Sequence, residues 1–299
     1  MNGKIIKLTG GFYYIKSGDK VYETRARGNF RHTKIEPIVG DNVEFKYEEN
    51  KLGYIEKVYP RKNMLTRPKV SNVDLTLIVV PVLDPKYNLM LIDKNIIQSE
   101  YQEVDVAIVI NKSDLDTEEA NKLVEIYKNS GFNTFLVSTV EDEGIEELKL
   151  FLKGKTVALC GVSGAGKSSI ASKILGKNIE IGKVSDKTKR GKHTTRHTEI
   201  FYNDDTYIFD TPGFSSLELK MESNNLKYYF REFKDYNDKC KFNNCNHINE
   251  PKCGVKEAFE DGKIEKSRYE NYKYIFNELK DKGGYFWFHH QSFQQILLT

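Results

Sequence analysis

The segment GVSGAGKS at residues 161–168 decides the fold of this 299-residue chain. It matches the pattern G-x-x-x-x-G-K-[ST] at every fixed position, and this pattern forms a phosphate-binding loop when it lies between a strand and a helix. Here the apolar run TVALC precedes the segment and the helix-like run SSIASKIL follows it. The context predicts a P-loop, whose backbone N–H groups surround phosphates at the positive end of a helix.

Two side chains of this loop have predicted chemical roles. Lys167 is expected to contact the β and γ phosphates and to contribute to catalysis, and Ser168 to offer its hydroxyl to Mg²⁺. A glycine turn that binds nothing is the alternative, which the strand and helix on either side disfavour. The other predicted nucleotide contacts of the segment are Gly161, Val162, Ser163, Gly164, Ala165, Gly166 and Ser169.

Upstream of the loop, apolar strands alternate with helices. DLTLIVVPV, VDVAIVIN and NTFLVST read as strands, whereas LMLIDKNIIQSEY and TEEANKLVEIYKNSG have helical spacing. This alternation predicts a parallel sheet with helices on both faces, and such sheets bind ligands at the carboxyl ends of their strands. The predicted strand ends are Asn111, Ser138, Gly161 and Asp210, and each of them opens a motif.

The segment Asn111-Lys112-Ser113-Asp114 has the composition of a guanine-binding turn. Asp114 can accept hydrogen bonds from two guanine N–H groups, while the Asn111 amide braces the site and the Lys112 stem packs over the base. Ser138, at the end of the next strand, would place a backbone N–H near guanine O6. Taken alone, residues 111–114 are equally compatible with an Asx-type turn.

A fourth motif, Asp210-Thr-Pro-Gly213, follows the strand-like run TYIFD. Asp210 would hold Mg²⁺ through water, and the Gly213 N–H would approach the γ-phosphate. In the usual order of these motifs the P-loop comes first and the guanine-binding strands last, whereas here the guanine-binding strands come first. Joining the old chain ends and opening the chain after residue 213 moves no strand, so the sequence predicts a circularly permuted GTP-binding domain.

Three of the four cysteines lie close together, in Cys240-x₄-Cys245-x-His247-x₅-Cys253. Three thiolates and one imidazole form the donor set of a tetrahedral structural zinc site. The surrounding residues have too little apolar content to fold alone, so a metal is favoured over free thiols beside a surface histidine. Cys160 is predicted to be a small core residue.

The first 68 residues contain five short runs rich in aromatic and β-branched residues, which predict a small barrel, with an OB fold preferred. They hold 14 Lys and Arg against 8 Asp and Glu, whereas residues 69–219 hold 18 against 23. A basic barrel favours RNA as a partner. A barrel core built of aromatics, with a solvated basic loop, is the alternative. The candidate RNA contacts are Tyr13, Tyr14, Tyr22 and Phe30 for bases, and Arg25, Arg27, Arg31 and Lys34 for phosphates.

Composition excludes several other classes of protein. With 39% hydrophobic and 30% charged residues, the chain is long enough for two or three globular domains. The sequence contains no apolar run of the roughly 18 to 20 residues that a membrane span needs, and its N-terminus does not resemble a signal peptide. We therefore expect a cytoplasmic protein without membrane contact.

The motif order, the basic barrel and the Cys/His cluster together resemble the bacterial ribosome small subunit-dependent GTPase A family over about residues 1–280. The resemblance implies an OB domain, a permuted GTPase and a zinc domain, and hydrolysis of GTP to GDP during late maturation of the small (30S) ribosomal subunit. It also implies binding to 16S rRNA, stimulation by the subunit, and a monomer. The domain boundaries predicted here are 1–68, 69–219 and 220–299, with the last domain mostly helical.

The resemblance also assigns residues 191–197 to the first switch. Thr194 or Thr195 would meet Mg²⁺, and His193, in preference to His197, would assist the attacking water. Phe214 stands where Ras-like enzymes have the glutamine that orients this water, so slow intrinsic hydrolysis is expected. Two alternatives remain: an RNA-binding scaffold in which GTP is structural and, against the 111–114 motif, an ATP-using kinase. The aromatic tail at residues 283–299 has no assigned function.

Overall fold

The structure is a computed structural model. It describes residues 1–27, 30, 35–48, 52–66, 69–179, 199–203, 206–209 and 217–294, and the side chains of these except at 66 and 283–294.

The N-terminal part is a closed five-stranded barrel, as predicted. Its sheet order is β1-β2-β3-β5-β4, with β3 and β5 parallel and the other pairs antiparallel. The strands are β1 (Asn2–Thr9), β2 (Phe12–Ser17), β3 (Lys20–Ala26), β4 (Asn42–Lys46) and β5 (Gly53–Val58). Alternate residues point inward, and the core includes Ile5, Ile15, Val43, Phe45 and Ile55, all 0% exposed.

A short hairpin connects the barrel to the central domain. Its strands are β6 (Met64–Thr66) and β7 (Lys69–Ser71), so the boundary predicted between residues 68 and 69 lies between them and stays a prediction. Gly40 (φ 97°) lies close to the end of β7, where a Cβ added to the glycine would be 2.1 Å from the Ser71 carbonyl oxygen. The barrel core continues into the central sheet through Ala158, Ile200 and Phe209. The barrel and the central sheet therefore share one apolar core.

The central domain is a six-stranded sheet in the order β10-β9-β8-β11-β13-β12. Its strands are β8 (Leu75–Pro81), β9 (Asp105–Asn111), β10 (Asn133–Val137), β11 (Thr156–Cys160), β12 (Ile200–Tyr202) and β13 (Tyr207–Phe209). The predicted parallel arrangement holds for five strands. The edge strand β12 is an exception, since it runs antiparallel to β13. The connection between them, residues 203–206, is four residues long and is too short for the crossover that a parallel pair needs.

In the described part of the chain, four helices cover this sheet, two on each face. They are α1 (Leu89–Tyr101), α2 (Thr117–Asn129), α3 (Ile145–Leu152) and α4 (Lys167–Leu175). Alternate residues of β8 point to opposite faces: Leu77 packs with α3 and α4, and Ile78 packs with α1 and α2. Helix α3 was not among the helices predicted from the sequence.

The C-terminal part is mostly helical, as predicted. It contains 3₁₀ helices at Ser223–Tyr229 and Arg231–Phe233, followed by α5 (Lys234–Asn237), α6 (Gly254–Glu260) and α7 (Lys266–Gln294). Residues 283–294 of the unassigned tail continue α7. Ile97 of α1 packs into the core of this region. None of the helices in the described part of the chain combines the length and the apolar character needed to cross a bilayer.

Candidate nucleotide and metal sites

The predicted P-loop connects β11 to α4 at the carboxyl edge of the sheet. Two glycines make its close contacts possible. At Gly161 (φ 142°) a Cβ would lie 2.4 Å from the Val79 carbonyl oxygen, and at Gly166 (φ 92°) a Cβ would lie 2.1 Å from Asn111 Nδ2. A side chain at either position would push the loop away from its neighbouring strand.

Lys167 lies inside the curve of this loop. Its side chain is buried, and Nζ donates to the carbonyl oxygens of Gly161 at 2.9 Å and Val162 at 2.8 Å. Ser168 is half-buried and Ser169 exposed in the first turn of α4, where backbone N–H groups favour anions. The loop thus has the cation and the helix end that a phosphate chain requires.

Asn111 connects the predicted guanine-binding segment to the P-loop. It is 0% exposed at the end of β9, and its Nδ2 donates to the Ala165 carbonyl oxygen at 2.8 Å. Lys112 Nζ donates to the carbonyl oxygen of Asp84. The side chain of Ser113 is buried, and its hydroxyl has no hydrogen-bond partner among the described residues.

Asp114 and Ser138 meet as the strand order requires, because β9 and β10 are neighbouring parallel strands. The Ser138 hydroxyl donates to Asp114 Oδ1 at 2.6 Å and accepts from the Glu141 backbone N–H at 3.1 Å. Asp114 itself is exposed. The serine therefore orients a carboxylate that solvent, and hence a ligand, can reach.

A cleft of about 580 Å³ lies between the residues that follow Ser138 and the helix after the P-loop. Thr139 and Val140 line one side, and Ser168, Ser169 and Lys173 line the other. Lys173 also pairs with Asp142 at 2.5 Å, joining the two sides. The cleft is thus bordered by the residues that follow Ser138 and by the helix whose first turn is predicted to bind phosphate.

Several predicted site residues lie outside the described residues. They are His193, Thr194, Thr195, Asp210 and Gly213, with His197 and Phe214. The strand that leads to Asp210 is described: β13 runs parallel to β11, with Phe209 opposite Ala158.

Sequence reasoning missed the segment at residues 82–88, which follows β8 and approaches both motifs. Besides the contact of Asp84 with Lys112, the Pro85 ring packs against Gly164, since a Cβ there would lie 3.3 Å from Pro85 Cδ. An Asp-Pro pair directly after an apolar strand was the signal for a turn at this edge of the sheet.

The predicted metal ligands Cys240, Cys245, His247 and Cys253 come together, with all four ligand atoms within 4.8 Å of one another. Cys240 Sγ lies 3.9 Å from Cys253 Sγ, and His247 Nδ1 lies 3.6 Å and 3.3 Å from these two sulfurs. Tetrahedral zinc with ordinary bond lengths needs about 3.8 Å between sulfurs and about 3.5 Å between sulfur and nitrogen. The described distances fit that geometry.

Neighbouring groups hold the backbone of this cluster. The hydroxyls of Tyr269 and Tyr272 donate to the carbonyl oxygens of His247 at 2.7 Å and Asn246 at 2.6 Å.

Burial lowers the pKa of His247 to about 4, which keeps the imidazole in the neutral form that ligates metals. Burial raises the pKa of the Cys245 thiol to about 12, so its deprotonation needs a nearby positive charge such as a metal ion.

The barrel corrects one part of the RNA prediction. Tyr13 is only 8% exposed and belongs to the barrel core, because its position alternates in phase with Ile15. The Tyr22 ring packs on Phe45 and Tyr47, at centroid distances of 5.3 and 4.9 Å. Arg25 is exposed over the Phe12 ring. For Tyr13 the core alternative is therefore the right one.

The fold and the site define a P-loop protein whose predicted guanine-binding segment precedes the P-loop in the chain. The profile of the RsgA GTPase family matches residues 58–220, and that of the RsgA N-terminal domain matches residues 2–55. The chain therefore belongs to the RsgA GTPase family, whose members are GTP-hydrolysing enzymes.

Full-length relatives and solved structures agree with this membership. Proteins named small ribosomal subunit biogenesis GTPase RsgA are 44% identical in Agathobacter rectalis and 45% identical in Clostridium beijerinckii, covering 95% and 96% of this chain and 100% of each relative. The crystal structure of YjeQ from Thermotoga maritima has a TM-score of 0.81 at 38% identity, covering 93% of this chain and 98% of that one. The crystal structure of YloQ, described as a circularly permuted GTPase, has a TM-score of 0.79 at 34% identity. The match covers 94% of this chain and 95% of that one.

We predict one zinc ion per chain, bound by the Cys/His cluster. Cys245→Ser should lose the metal and lower the unfolding temperature of the C-terminal domain, because metal binding contributes folding free energy. Cys160→Ser is the matched control, since Cys160 is buried outside the cluster and should leave zinc content unchanged. Elemental analysis of the purified proteins measures both, and a folded wild-type protein without metal would contradict the assignment.

Proposed function

We propose that this chain hydrolyses GTP to GDP and phosphate during late assembly of the small ribosomal subunit, and that it binds the 16S rRNA of that subunit. The observation that carries the proposal is the convergence of two motifs at one sheet edge, the Asn111 contact with Ala165 beside the Asp114 contact with Ser138. The names of the relatives supply the ribosomal partner.

In the proposed site the segments divide the nucleotide between them. Asp114, held by Ser138, pairs with the guanine edge, and the Lys112 stem covers the base. Residues 161–169 surround the phosphates, with the Lys167 ammonium against the β and γ phosphates and the Ser168 hydroxyl placed to hold Mg²⁺. The metal, when bound, neutralises charge on the phosphate oxygens. Asp210 and Gly213, which follow β13, would complete the γ-phosphate side.

Water for hydrolysis needs a further group, because the Phe214 ring cannot accept a proton or orient water. We propose His193 for this role, and Thr194 or Thr195 as the Mg²⁺ contact from the first switch. Because none of these groups belongs to the P-loop or to residues 111–114, we expect intrinsic turnover to be slow and the ribosomal subunit to raise it.

The flanking domains are proposed to hold the subunit. Zinc closes the C-terminal fold, and the basic barrel meets rRNA phosphates through exposed cations such as Arg25. We propose that the protein is a monomer and acts in the cytoplasm, where ribosomal subunits mature.

Guanine recognition by Asp114 predicts a change of nucleotide preference. Asp114→Asn should weaken GTP binding about tenfold to a hundredfold, the usual range for a hydrogen bond to a charged group, and should improve binding of xanthosine triphosphate. Asp116→Asn is the matched control, because Asp116 caps α2 through the Glu119 N–H at 3.0 Å and asparagine caps equally well. Equilibrium titration with both nucleotides measures this. Unchanged GTP affinity in Asp114→Asn would remove Asp114 from the site.

Coupling to the subunit predicts tighter binding with a non-hydrolysable GTP analogue than with GDP, turnover well above the intrinsic rate when subunits are present, and weaker binding as salt rises. Deletion of residues 1–68 is unsuitable as a test, because it would expose the core shared with Ala158, Ile200 and Phe209. Arg25→Glu should instead weaken pelleting with subunits, while Lys122→Glu on the α2 surface should not. Equal pelleting with GDP and with the GTP analogue, together with unchanged turnover, would instead favour an RNA-binding scaffold in which GTP is structural.

A further inference from the structure

Helix α1 contacts the strand that leads into the P-loop. The Cys160 thiol, directly before Gly161, donates to Asn95 Oδ1 at 3.0 Å. The nitrogen of the same amide donates to the Leu91 carbonyl oxygen at 2.8 Å, which fixes its orientation. A shift of α1 along the sheet would therefore displace a group bonded to the base of the P-loop.

The segment that enters α1 touches both halves of the candidate nucleotide site. Asp84 accepts from Lys112, and Pro85 packs against Gly164. Three residues later Asn88 caps the helix, accepting from the Leu91 N–H at 3.1 Å. Residues 82–88 and α1 thus form one hydrogen-bonded connection that starts between the base-binding and phosphate-binding segments.

On another face, α1 is held by the C-terminal domain. Asp93 lies two residues from Asn95, and residues at this spacing do not share a helix face. Its Oδ1 accepts from Arg268 Nη1 at 2.6 Å and its Oδ2 from Asn271 Nδ2 at 2.7 Å, both from α7. Arg268 also donates two hydrogen bonds to the Glu232 carboxylate, from Nε at 2.7 Å and from Nη2 at 3.1 Å.

The centre of this network is buried, since Asp93 and Arg268 are both 0% exposed and Glu232 is 9% exposed. Apolar residues of similar volume would hold two helices together as well as a buried ion pair does, so stability alone is a weak reason for it. The guanidinium is planar and its N–H donors have fixed directions, so it fixes the orientation of both carboxylates relative to Arg268. The network sets where α1 lies relative to α7.

We infer that Arg268 is a positioning residue for the nucleotide site, acting through Asp93 and α1 on residues 82–88 and the P-loop. The inference rests on the proposed binding of guanine nucleotide at that site. Through these contacts the C-terminal domain can influence nucleotide binding independently of the switch segments. Because binding linkage is reciprocal, a partner that moves α7 alters nucleotide affinity, and nucleotide binding alters the affinity for that partner.

The test is the rate at which a fluorescent GDP leaves the protein, measured by stopped flow well below the unfolding temperature. Arg268→Lys keeps the positive charge but loses the planar set of N–H donors. GDP should then dissociate at least about five times faster, since coupling between sites usually changes affinity by about fivefold or more. Asn95→Leu cuts the connection at Cys160 and should also accelerate release. The double variant should release GDP no faster than the faster single variant, because both changes interrupt one path.

The control is Glu278→Gln, which removes a pairing of α1 with α7 at Lys94 (2.7 Å) outside the buried network and should leave the rate unchanged. Zinc content and circular dichroism identify folded protein, and Asp93→Asn replaces Arg268→Lys if the latter does not fold. Folded, zinc-loaded Arg268→Lys that releases GDP at the wild-type rate would overturn the inference. Wild-type protein that binds no GDP would instead contradict the proposed function.

Discussion

A single buried hydrogen bond, from Asn111 Nδ2 to the carbonyl oxygen of Ala165, joins the two halves of the candidate nucleotide site. The partners are 54 positions apart in the chain, and the contact is close only because Gly166 has no side chain. Base recognition and phosphate binding each need their own segment. This bond fixes the distance between those segments before any ligand arrives, which lowers the ordering cost of binding.

The sheet explains why permuting the motifs leaves this bond intact. β8 lies between β9 and β11, with Pro81 opposite Asn111 and Ile78 opposite Cys160. The carboxyl ends of all three strands therefore meet at one edge, whichever strand comes first in the chain. What the permuted order changes is the position of the ends. The barrel precedes β8, the C-terminal domain follows the segment after β13, and both additions pack on the domain that holds the nucleotide site.

Much of this organisation was readable from the sequence because its signals are local. The P-loop, the buried parallel strands, the barrel strands and the Cys/His cluster each lie within a short run of residues. Two further features were readable but missed. Tyr13 alternates in phase with Ile15, and Ile145, Leu148 and Leu152 have the spacing of the amphipathic helix α3.

Other features could not be predicted from a single sequence. Arg268 looks like an ordinary helix-surface cation, and its burial depends on Asp93, 175 positions earlier. The contact of Asp84 with Lys112 needs the tertiary placement of a loop. Each of these depends on long-range packing, which leaves no periodicity in the local sequence.

The most direct test of the account is a crystal structure of the full chain with bound GDP. We expect that structure to show the guanine edge on the Asp114 carboxylate, the β-phosphate among the backbone N–H groups of residues 164–168, and the hydrogen bond from Asn111 to Ala165 unchanged. GDP bound elsewhere, or with its base away from Asp114 while the phosphates occupy the P-loop, would contradict the claim that these two motifs form one site.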